Sequence, residues 1–307
     1  MALTAGDVVL AALPLSHSFG LNGALLAPLL IGATVRLVER FTADGVASLL
    51  SQERVTVLPA VATMFRRLLD VPTFTGGAAL RLAVSGAAPC PWELAQEWRV
   101  RTGVRIVRGY GMTELFRPLS YLAADTTDLP DAVGRAVPGV EARVVDEEGG
   151  PLGAGHVGEL LIRSPAAMDG YLGAPGESHE VLVDGWFHTG DFASIDADGW
   201  VRITGRKRER ILRGGHSVFP SEIEAVLLAH PDVSEAAVVG VPNAELGEEV
   251  AGFVVIREGS RAGVDELIAF CRERLAGYKY PRRITLVSAL PRSATGKVLK
   301  ARLAELG

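Results

Sequence analysis

The chain has 307 residues, a formal net charge of −5 and 22% charged residues, a composition typical of a globular protein with two domains. Its acidic balance, and the lack of aromatic residues interleaved with its basic ones, argue against a nucleic-acid-binding protein. Cys90 and Cys271 are far apart and lie in no CxxC motif or histidine cluster, so we expect no disulfide framework, no zinc site and a cytoplasmic location.

The segment from Val8 to Val35 contains no acidic residue, lysine or arginine and must be considered as a membrane span. Pro14, His17 and Pro28 interrupt it, and Asp7 rather than a basic cluster precedes it. These features disfavour both a membrane span and a signal peptide. We interpret the segment as buried strand, loop and helix of an α/β core.

Strands and helices alternate through the first third of the chain. Strands are predicted near residues 7–15, 33–38, 55–59, 80–84 and 104–107, and helices near 22–30, 42–52, 62–69 and 92–101. This alternation is typical of a parallel sheet covered on both faces, in which ligands bind beyond the carboxyl ends of the strands. Three loops rich in glycine and hydroxyl residues are expected at such ends: SHSFG, SGAAP and GYGMTE.

From residue 133 the sequence changes to short strands joined by glycine and aspartate turns, including a predicted hairpin at DADG. The basic segment from Gly205 to Glu224 is too charged for a core, so it is expected at a surface or a hinge. After it, Pro220 opens a helix for which Ser221 and Glu224 predict a capping box. The predicted organisation is an α/β large domain over 1–207 (core 1–132, β subdomain 133–207) and an α+β small domain over 208–307.

The GYGMTE segment contains the largest number of candidate ligand-binding groups in the predicted α/β core. Gly109 and Gly111 would let backbone N–H groups approach a ligand closely, and Tyr110 offers a face for a flat ring. Thr113 offers a hydroxyl to a phosphate oxygen, and Glu114 offers the hard oxygen ligand that Mg²⁺ prefers. The alternative is a plain strand–turn–helix junction with a threonine cap.

Three further polar residues have a functional and an ordinary interpretation. Asp191 in HTGD would accept hydrogen bonds from ribose hydroxyls, or is a turn aspartate. Lys297 in SATGK would neutralise charge on a phosphoryl or acyl oxygen, or is a solvated surface charge. The GxxxxGK[ST] spacing is absent, so no P-loop is predicted. His17 in SHSFG would contact an acyl group, or packs in its loop.

Six motifs occur in one order along the chain: PLSHSFG, SGAAP, GYGMTE, GWFHTGD, GRKRERILRGGHSVFPSEIE and PRSATGKVLK. Together they closely resemble the acyl-adenylate-forming superfamily, which includes acyl-CoA synthetases, adenylation domains of peptide synthetases and luciferases. The resemblance covers nearly the whole chain. It implies that a carboxylate attacks the α-phosphate of Mg·ATP to give acyl-AMP and pyrophosphate, and that a thiol, often that of coenzyme A, then displaces AMP.

The resemblance also implies roles for residues in matching positions. The loop of residues 87–89 and Tyr110 would frame the adenine, Thr113 would touch the α-phosphate, and Glu114 would hold Mg²⁺. The implied nucleotide-binding set of the first part is Ala87, Ala88, Pro89, Gly109, Tyr110, Gly111, Met112, Thr113 and Glu114.

In the second part, Asp191 and Arg206 would bind the ribose and a nearby phosphate, and Lys297 would stabilise the adenylation transition state. Arg208 falls at the hinge position, where the small domain would rotate. That rotation would withdraw Lys297 and bring the Gly214 and Gly215 loop to the thiol channel.

The sequence also departs from the superfamily. Members carry a Ser/Thr/Gly-rich phosphate loop upstream of the His17 region, and no such loop precedes PLSHSFG here. We therefore expect AMP binding to be retained and ATP activation to need that loop. We also expect apolar surface to be left uncovered, with a partner chain as one source of the missing lobe. Leu212 and His216 replace a lysine and an aromatic residue found in some relatives.

The leading prediction is thus an acid–thiol ligase of the acyl-CoA synthetase type, acting on a small carboxylic acid and coenzyme A. The small, apolar character of the loops near His17, Met64 and Ser85 favours a fatty or aryl acid. Two alternatives stay open. One is a peptide-synthetase-type unit that loads a carrier protein, and the other is a non-catalytic protein that binds a nucleotide or a partner.

Overall fold

The computed structural model describes residues 3–122, 125–292 and 298–305, and the chain divides into two compact units. The first unit is Met1–Thr189 with Ser194–Ile203, and the second is Gly190–Ala193 with Thr204–Gly307. The domain boundary after residue 207 and the hinge at Arg208 stay predictions. No helix within the described ranges is long and apolar enough to cross a membrane.

A parallel sheet forms the centre of the first unit, with strand order β2-β1-β3-β4-β5. The strands are β1 (Val8–Ala11), β2 (Thr34–Leu37), β3 (Val57–Ala60), β4 (Leu82–Ser85) and β5 (Ile106–Val107). Successive residues of β1 enter different cores, because Val9 packs with one cluster and Leu10 with another. Both faces are therefore covered, and the predicted α/β class is confirmed.

Helices cover the Leu10 face of this sheet. A π-helical segment, Phe19–Leu26, continues into α1 (Ala27–Leu30) and is followed by α2 (Ala43–Gln52), α3 (Ala62–Leu69) and α4 (Trp92–Thr102). Phe65 of α3 and Trp98 of α4 are fully buried and meet edge to face at 4.8 Å. Thr42 caps α2, and its hydroxyl accepts a hydrogen bond from Gly45 N at 3.3 Å.

A buried carboxylate ties together the amino ends of the central strands. Asp7, just before β1, accepts hydrogen bonds from Thr4, from the Thr56 hydroxyl before β3 at 2.7 Å and from Arg81 Nε before β4 at 2.8 Å. The Arg81 hydrogen bond is the main reason why the pKa of Asp7 lies far below its usual value, against the opposing effect of burial. The network lies at the opposite end of the strands from the three motif loops.

Antiparallel strands make up the rest of the first unit, and parts of β12 and β13 belong to the second unit. One group has the order β6-β7-β8, and the other has the order β11-β12-β10-β9 with β13 paired to β12. Their bounds are β6 (Gly109–Met112), β7 (Phe116–Ser120), β8 (Arg135–Ala136), β9 (Glu141–Val145), β10 (Gly158–Arg163), α5 (Pro175–Val181), β11 (Leu182–Val183), β12 (Trp186–Ile195) and β13 (Val201–Arg206).

The predicted DADG hairpin is confirmed in this region, whereas the predicted GYGMTE loop is partly a strand. The DADG hairpin is confirmed between β12 and β13, where the Asp196 carboxylate accepts a hydrogen bond from Trp200 N at 2.9 Å. GYGMTE is not a loop throughout, because its first four residues pair with β7 and form a strand. The HTGD motif likewise lies inside a strand, β12.

The second unit has a mixed sheet, β15-β14-β17-β16, with β18 parallel to β17. Its elements are β14 (Ile211–Arg213), β15 (His216–Val218), α6 (Pro220–Leu228), β16 (Val233–Asn243), β17 (Gly247–Ile256), α7 (Val264–Arg274), β18 (Arg283–Leu286) and α8 (Lys300–Ala304). Ile223 and Leu227 of α6 pack with Val254 and Leu267 in its core.

The predicted capping box of α6 is wrong. Phe219 is the cap residue and makes no side-chain cap hydrogen bond. The Ser221 hydroxyl donates to the Thr204 carbonyl, and Glu224 Oε1 accepts from Val238 N at 2.8 Å. Both side chains therefore bind distant backbone groups in preference to the end of their own helix.

Some large apolar side chains of the first unit are exposed to solvent. Leu29 and Leu30 of α1 and Leu37 of the edge strand β2 are exposed, Leu30 to 87%.

Candidate active site

Three motif loops meet at one edge of the parallel sheet. Because β1, β4 and β5 are parallel, the loops that follow them share the carboxyl edge. A Cβ placed on Gly86 would lie 3.1 Å from the Phe19 ring, and Thr113 Oγ1 donates to Ser18 Oγ at 3.4 Å. The structure thus brings SHSFG, SGAAP and GYGMTE into contact at the edge where ligands bind in such sheets.

The loop after β4 presents backbone to solvent. Ala87, Ala88 and Pro89 are all exposed, and Ala87 has a left-handed φ of +64°. That conformation costs a non-glycine residue roughly 1 kcal/mol, so the surrounding structure must hold it. Gly86 packs against Phe19 without room for a larger side chain. The loop therefore offers a fixed surface of small side chains.

Strand β6 is built around its two glycines. A Cβ at Gly111 would overlap the Phe116 carbonyl oxygen, and a Cβ at Gly109 would overlap the Arg117 guanidinium. Phe116 takes a left-handed φ of +61° at the turn between β6 and β7. The close approach of the β7 backbone thus requires glycine at position 111, whereas a side chain at position 109 would displace the end of the Arg117 side chain. Tyr110, between the two glycines, and Met112, after the second one, are half-buried.

Glu114 is held in place by a residue that the sequence did not reveal. Tyr171 donates its hydroxyl hydrogen to Glu114 Oε1 at 2.9 Å, and Met168 N donates to the Glu114 carbonyl at 2.8 Å. Burial, and then the hydrogen bond to Glu114, raise the pKa of Tyr171. Tyr171 is 57 residues from Glu114 in an irregular segment, so no local pattern could have indicated it.

The donor set around Glu114 suits a magnesium ion that is shared with phosphates. No group of three or more His, Cys, Asp or Glu side chains capable of holding a metal lies within the described residues. Mg²⁺ bound with nucleotides commonly takes only one or two protein carboxylates, with phosphate and water oxygens completing its octahedron. Glu114 retains acceptor capacity beyond the bond from Tyr171, so it fits that arrangement.

His17 lies on the same edge, at the surface. Its Nδ1 accepts a hydrogen bond from Phe19 N at 3.1 Å. In the neutral ring this contact places the hydrogen on Nε2. The ring is exposed, and its proposed acyl contact stays a prediction.

In the second unit, Asp191 and Arg206 form a pair. Asp191 on β12 is 5% exposed, and its Oδ1 lies 3.5 Å from Arg206 Nε on β13. A carboxylate with so little access to water needs such a partner. Both residues are predicted to bind the ribose and a nearby phosphate, and the ion pair brings them together; the ribose role itself stays a prediction.

The glycine pair of the second unit forms a tight hairpin. Gly214 and Gly215 have φ of +55° and +79° and join β14 to β15, as a two-residue type I′ turn requires. Exposed Arg208 lies before it, on the 3₁₀ turn Lys207–Glu209. His216, at the end of the hairpin, stacks on Tyr278 at 4.4 Å. Lys297 lies outside the described residues.

Two family models, both of AMP-binding enzymes, match the chain. The AMP-binding enzyme family matches residues 1–172, and the AMP-binding enzyme C-terminal domain matches residues 222–297.

Individual proteins match over almost its whole length. A feruloyl-CoA synthase from Amycolatopsis sp is 38% identical over 97% of this chain and 61% of its own length. A long-chain-fatty-acid–CoA ligase from Yersinia pestis is 38% identical over 97% of this chain and 53% of its own. ATP-bound MatB from Rhodopseudomonas palustris has a TM-score of 0.94 at 36% identity, covering 99% of this chain and 60% of its own. The chain thus spans between about half and three fifths of these proteins.

Proposed function

The chain belongs to the AMP-binding enzyme family, and we propose that it functions as an ATP-dependent acid–thiol ligase. In the first step a carboxylate oxygen bonds to the α-phosphorus of ATP and pyrophosphate leaves, giving acyl-AMP. In the second step the sulfur of coenzyme A bonds to the acyl carbon and AMP leaves. The names of the two sequence relatives, a CoA synthase and a CoA ligase, support coenzyme A as the acceptor.

The observation that carries the proposal is the meeting of three separate motifs at one sheet edge. Ser18, Gly86 and Thr113 come from loops after three different strands, yet they are joined by the Phe19 packing contact and the Thr113–Ser18 hydrogen bond. An α/β sheet places its ligand at this edge. The similar MatB structure has ATP bound, which supports a nucleotide as that ligand.

The proposal gives the described residues of this edge separate tasks. The exposed 87–89 loop and Tyr110 would hold the adenine, and the Thr113 hydroxyl would bind the α-phosphate. Glu114, oriented by Tyr171, would hold a Mg²⁺ ion, which neutralises phosphate charge when bound. Negative charge that develops on the phosphoryl oxygens is stabilised best by groups that are already in place. A Glu114 side chain held by Tyr171 would keep the Mg²⁺ ion in such a fixed position.

Residues of the second unit, and Lys297, complete the proposal by resemblance. Asp191 and Arg206 would bind the ribose and a phosphate. Lys297 would donate to the developing oxyanion during adenylation. Arg208 would be the hinge, and the Gly214 and Gly215 hairpin would serve the thiol step. The expected substrate is a fatty or aryl acid, in keeping with the names of the two sequence relatives.

The test is ATP–pyrophosphate exchange by the purified chain, with a panel of carboxylic acids and with calorimetric AMP binding measured alongside. Acid-dependent exchange, followed by thioester formation with coenzyme A, is the expected result. Glu114→Gln is the matched control, because it keeps the shape and loses the charge. AMP binding without exchange for any acid would contradict the proposal that this chain is a ligase by itself. It would support a nucleotide-binding protein that needs the upstream phosphate loop for ATP activation.

A further inference from the structure

An ion pair fastens the base of the Gly214 and Gly215 hairpin. Arg213, the last residue of β14, donates from Nε to Glu249 Oε1 at 2.6 Å and from Nη2 to Glu249 Oε2 at 2.9 Å. Glu249 lies near the start of β17, 36 residues further along the chain. The Arg213 and Glu249 side chains are 12% and 16% exposed. Two parallel hydrogen bonds of this kind fix the orientation of a guanidinium as well as its position.

Both members of the pair are charged in the folded chain. Burial acts to raise the pKa of the Glu249 carboxyl, but the hydrogen bonds from Arg213 and from Val250 N outweigh it, so this pKa lies below its usual value. The hydrogen bond to Glu249 likewise raises the pKa of Arg213. The base of the hairpin thus holds one cation and one anion that neutralise each other.

The residues on either side of Arg213 are bound to the same part of the chain. Leu212 N donates to Glu248 Oε2 at 2.6 Å, and Gly214 N donates to the Leu246 carbonyl at 2.8 Å. These partners lie in the turn between β16 and β17 and in the first residues of β17. The base of the hairpin is therefore held at three consecutive positions.

The turn beyond this base depends on its surroundings for its position. Both of its glycines are exposed, and a Cβ on Gly215 would lie within 4 Å of no described atom apart from its chain neighbours. Glycine has more conformational freedom than any other residue, so the turn does not fix itself. His216 stacks on Tyr278 after the turn. Before the turn, the Arg213 side chain and its carboxylate partner provide the corresponding contact.

Stability alone does not explain a charged pair at this place. Replacing a buried ion pair by apolar side chains of similar volume is often neutral or stabilising, because the desolvation of two charges is then avoided. Apolar side chains can pack in several ways, whereas a bidentate pair accepts one geometry. The pair of Arg213 and Glu249 thus gives the turn a fixed position that an apolar contact would not.

We propose that Glu249 is a positioning residue for the thiol step, acting through Arg213 on the Gly214 and Gly215 hairpin. In that step the coenzyme A sulfur bonds to the acyl carbon, the bond from that carbon to the AMP phosphate oxygen breaks, and the thiol proton passes to solvent. Glu249 takes no part in these bond changes and acts by holding the hairpin. This inference rests on the proposed ligase function and on the role that it gives the hairpin.

The experiment measures the thiol step separately from adenylation. Wild-type chain and Glu249→Gln are given octanoyl-AMP or benzoyl-AMP with coenzyme A, and thioester formation is followed. Glu249→Gln keeps the shape of the side chain and removes its charge. It should lower kcat for thioester formation roughly 10- to 100-fold, since small displacements in a reacting complex have effects of this size. KM for coenzyme A should change less than kcat, and AMP binding in calorimetry should be unchanged.

Two further variants separate positioning from stability. The double variant Arg213→Met with Glu249→Met replaces the ion pair by apolar side chains. It should melt at or near the wild-type temperature, yet remain slow in the thiol step. Glu235→Gln is the matched control, because it breaks another ion pair of the same unit, with Arg292, at the opposite end of β16. Glu235→Gln should form thioester at the wild-type rate.

Each contrary outcome removes a different statement. Wild-type activity that Glu249→Gln retains would remove the positioning role and leave the ligase proposal intact. A double variant that recovers both the melting temperature and the rate of the thiol step would show that the pair has only a structural role. Equal losses in AMP binding and in thioester formation would show a general disturbance of the chain. Wild type that forms no thioester from either acyl-AMP would remove the ligase proposal, and this inference with it.

Discussion

Replacing Asp7 by asparagine should destabilise the first unit and leave its nucleotide chemistry unchanged. Asp7 is 2% exposed and lies at the amino ends of the central strands, away from the loops after their carboxyl ends. Its two oxygens accept hydrogen bonds from Thr4, Thr56 and Arg81. Asparagine keeps the shape of the side chain. Its NH₂ group, however, is a hydrogen-bond donor and would face the donors that now bind the second carboxylate oxygen.

The size of the effect follows from those contacts. A hydrogen bond to a charged group is worth about 1.5–3 kcal/mol, and breaking a buried pair costs about 3–5 kcal/mol. The Arg81 side chain is 42% exposed, so solvent screens its share. We therefore expect a loss of about 2–4 kcal/mol in the free energy of unfolding, which corresponds to a fall of roughly 5–12 °C in Tm.

Denaturation followed by circular dichroism measures the loss, and its pH dependence identifies the cause. Because folding lowers the pKa of Asp7, its contribution is fully present above the unfolded pKa of about 4 and is lost as the pH falls towards the folded value. The difference between wild type and Asp7→Asn should thus be constant from pH 5 to 8 and shrink below pH 4. A Tm within 2 °C of wild type at pH 7, or a difference that grows in acid, would refute the reasoning.

Three predictions concern the proposed reaction. Tyr171→Phe removes the donor to Glu114 and should weaken the apparent affinity for Mg²⁺ in exchange by about 10-fold, with AMP affinity unchanged; an unchanged Mg²⁺ titration would contradict the positioning role. Lys297→Ala should slow exchange at least about 100-fold and thioester formation from supplied acyl-AMP far less, whereas equal losses would count against its role in adenylation. Asp191→Ala should weaken AMP binding in calorimetry by about 1–3 kcal/mol, and an unaltered affinity would rule out the ribose contact.

The sequence predicted the parallel sheet well because its signals are local. A short uncharged run such as Val8 to Ala11, followed by a proline, indicates a strand buried on both faces, and Thr42 before an amphipathic run marks a helix start. The three motif loops could be placed at one edge for the same reason, since carboxyl ends of parallel strands share an edge. Their mutual contacts through Phe19 and Ser18 confirm that they meet there.

The misses arose where a distant group decides the structure. Ser221 and Glu224 have capping-box spacing, but the Thr204 carbonyl and Val238 N–H offered them long-range partners. Gly109 to Met112 has loop composition, and only the presence of β7 makes it a strand. Glycine needed for close approach of a neighbouring strand cannot be distinguished in sequence from glycine needed for a ligand. Tyr171 was missed because its hydrogen-bond partner, Glu114, lies 57 residues away in the sequence.

The two ends of the central sheet differ in how their polar groups are satisfied. At the amino end, the carboxylate of Asp7 is saturated by donors from its own chain, including Arg81. At the carboxyl end, the motif loops are joined by the Phe19 packing contact and by the 3.4 Å hydrogen bond from Thr113 to Ser18. A saturated network stabilises the fold, whereas the exposed Thr113 hydroxyl and the exposed loop of residues 87–89 leave polar groups available to a ligand, so the carboxyl end is the end at which binding can be rewarded.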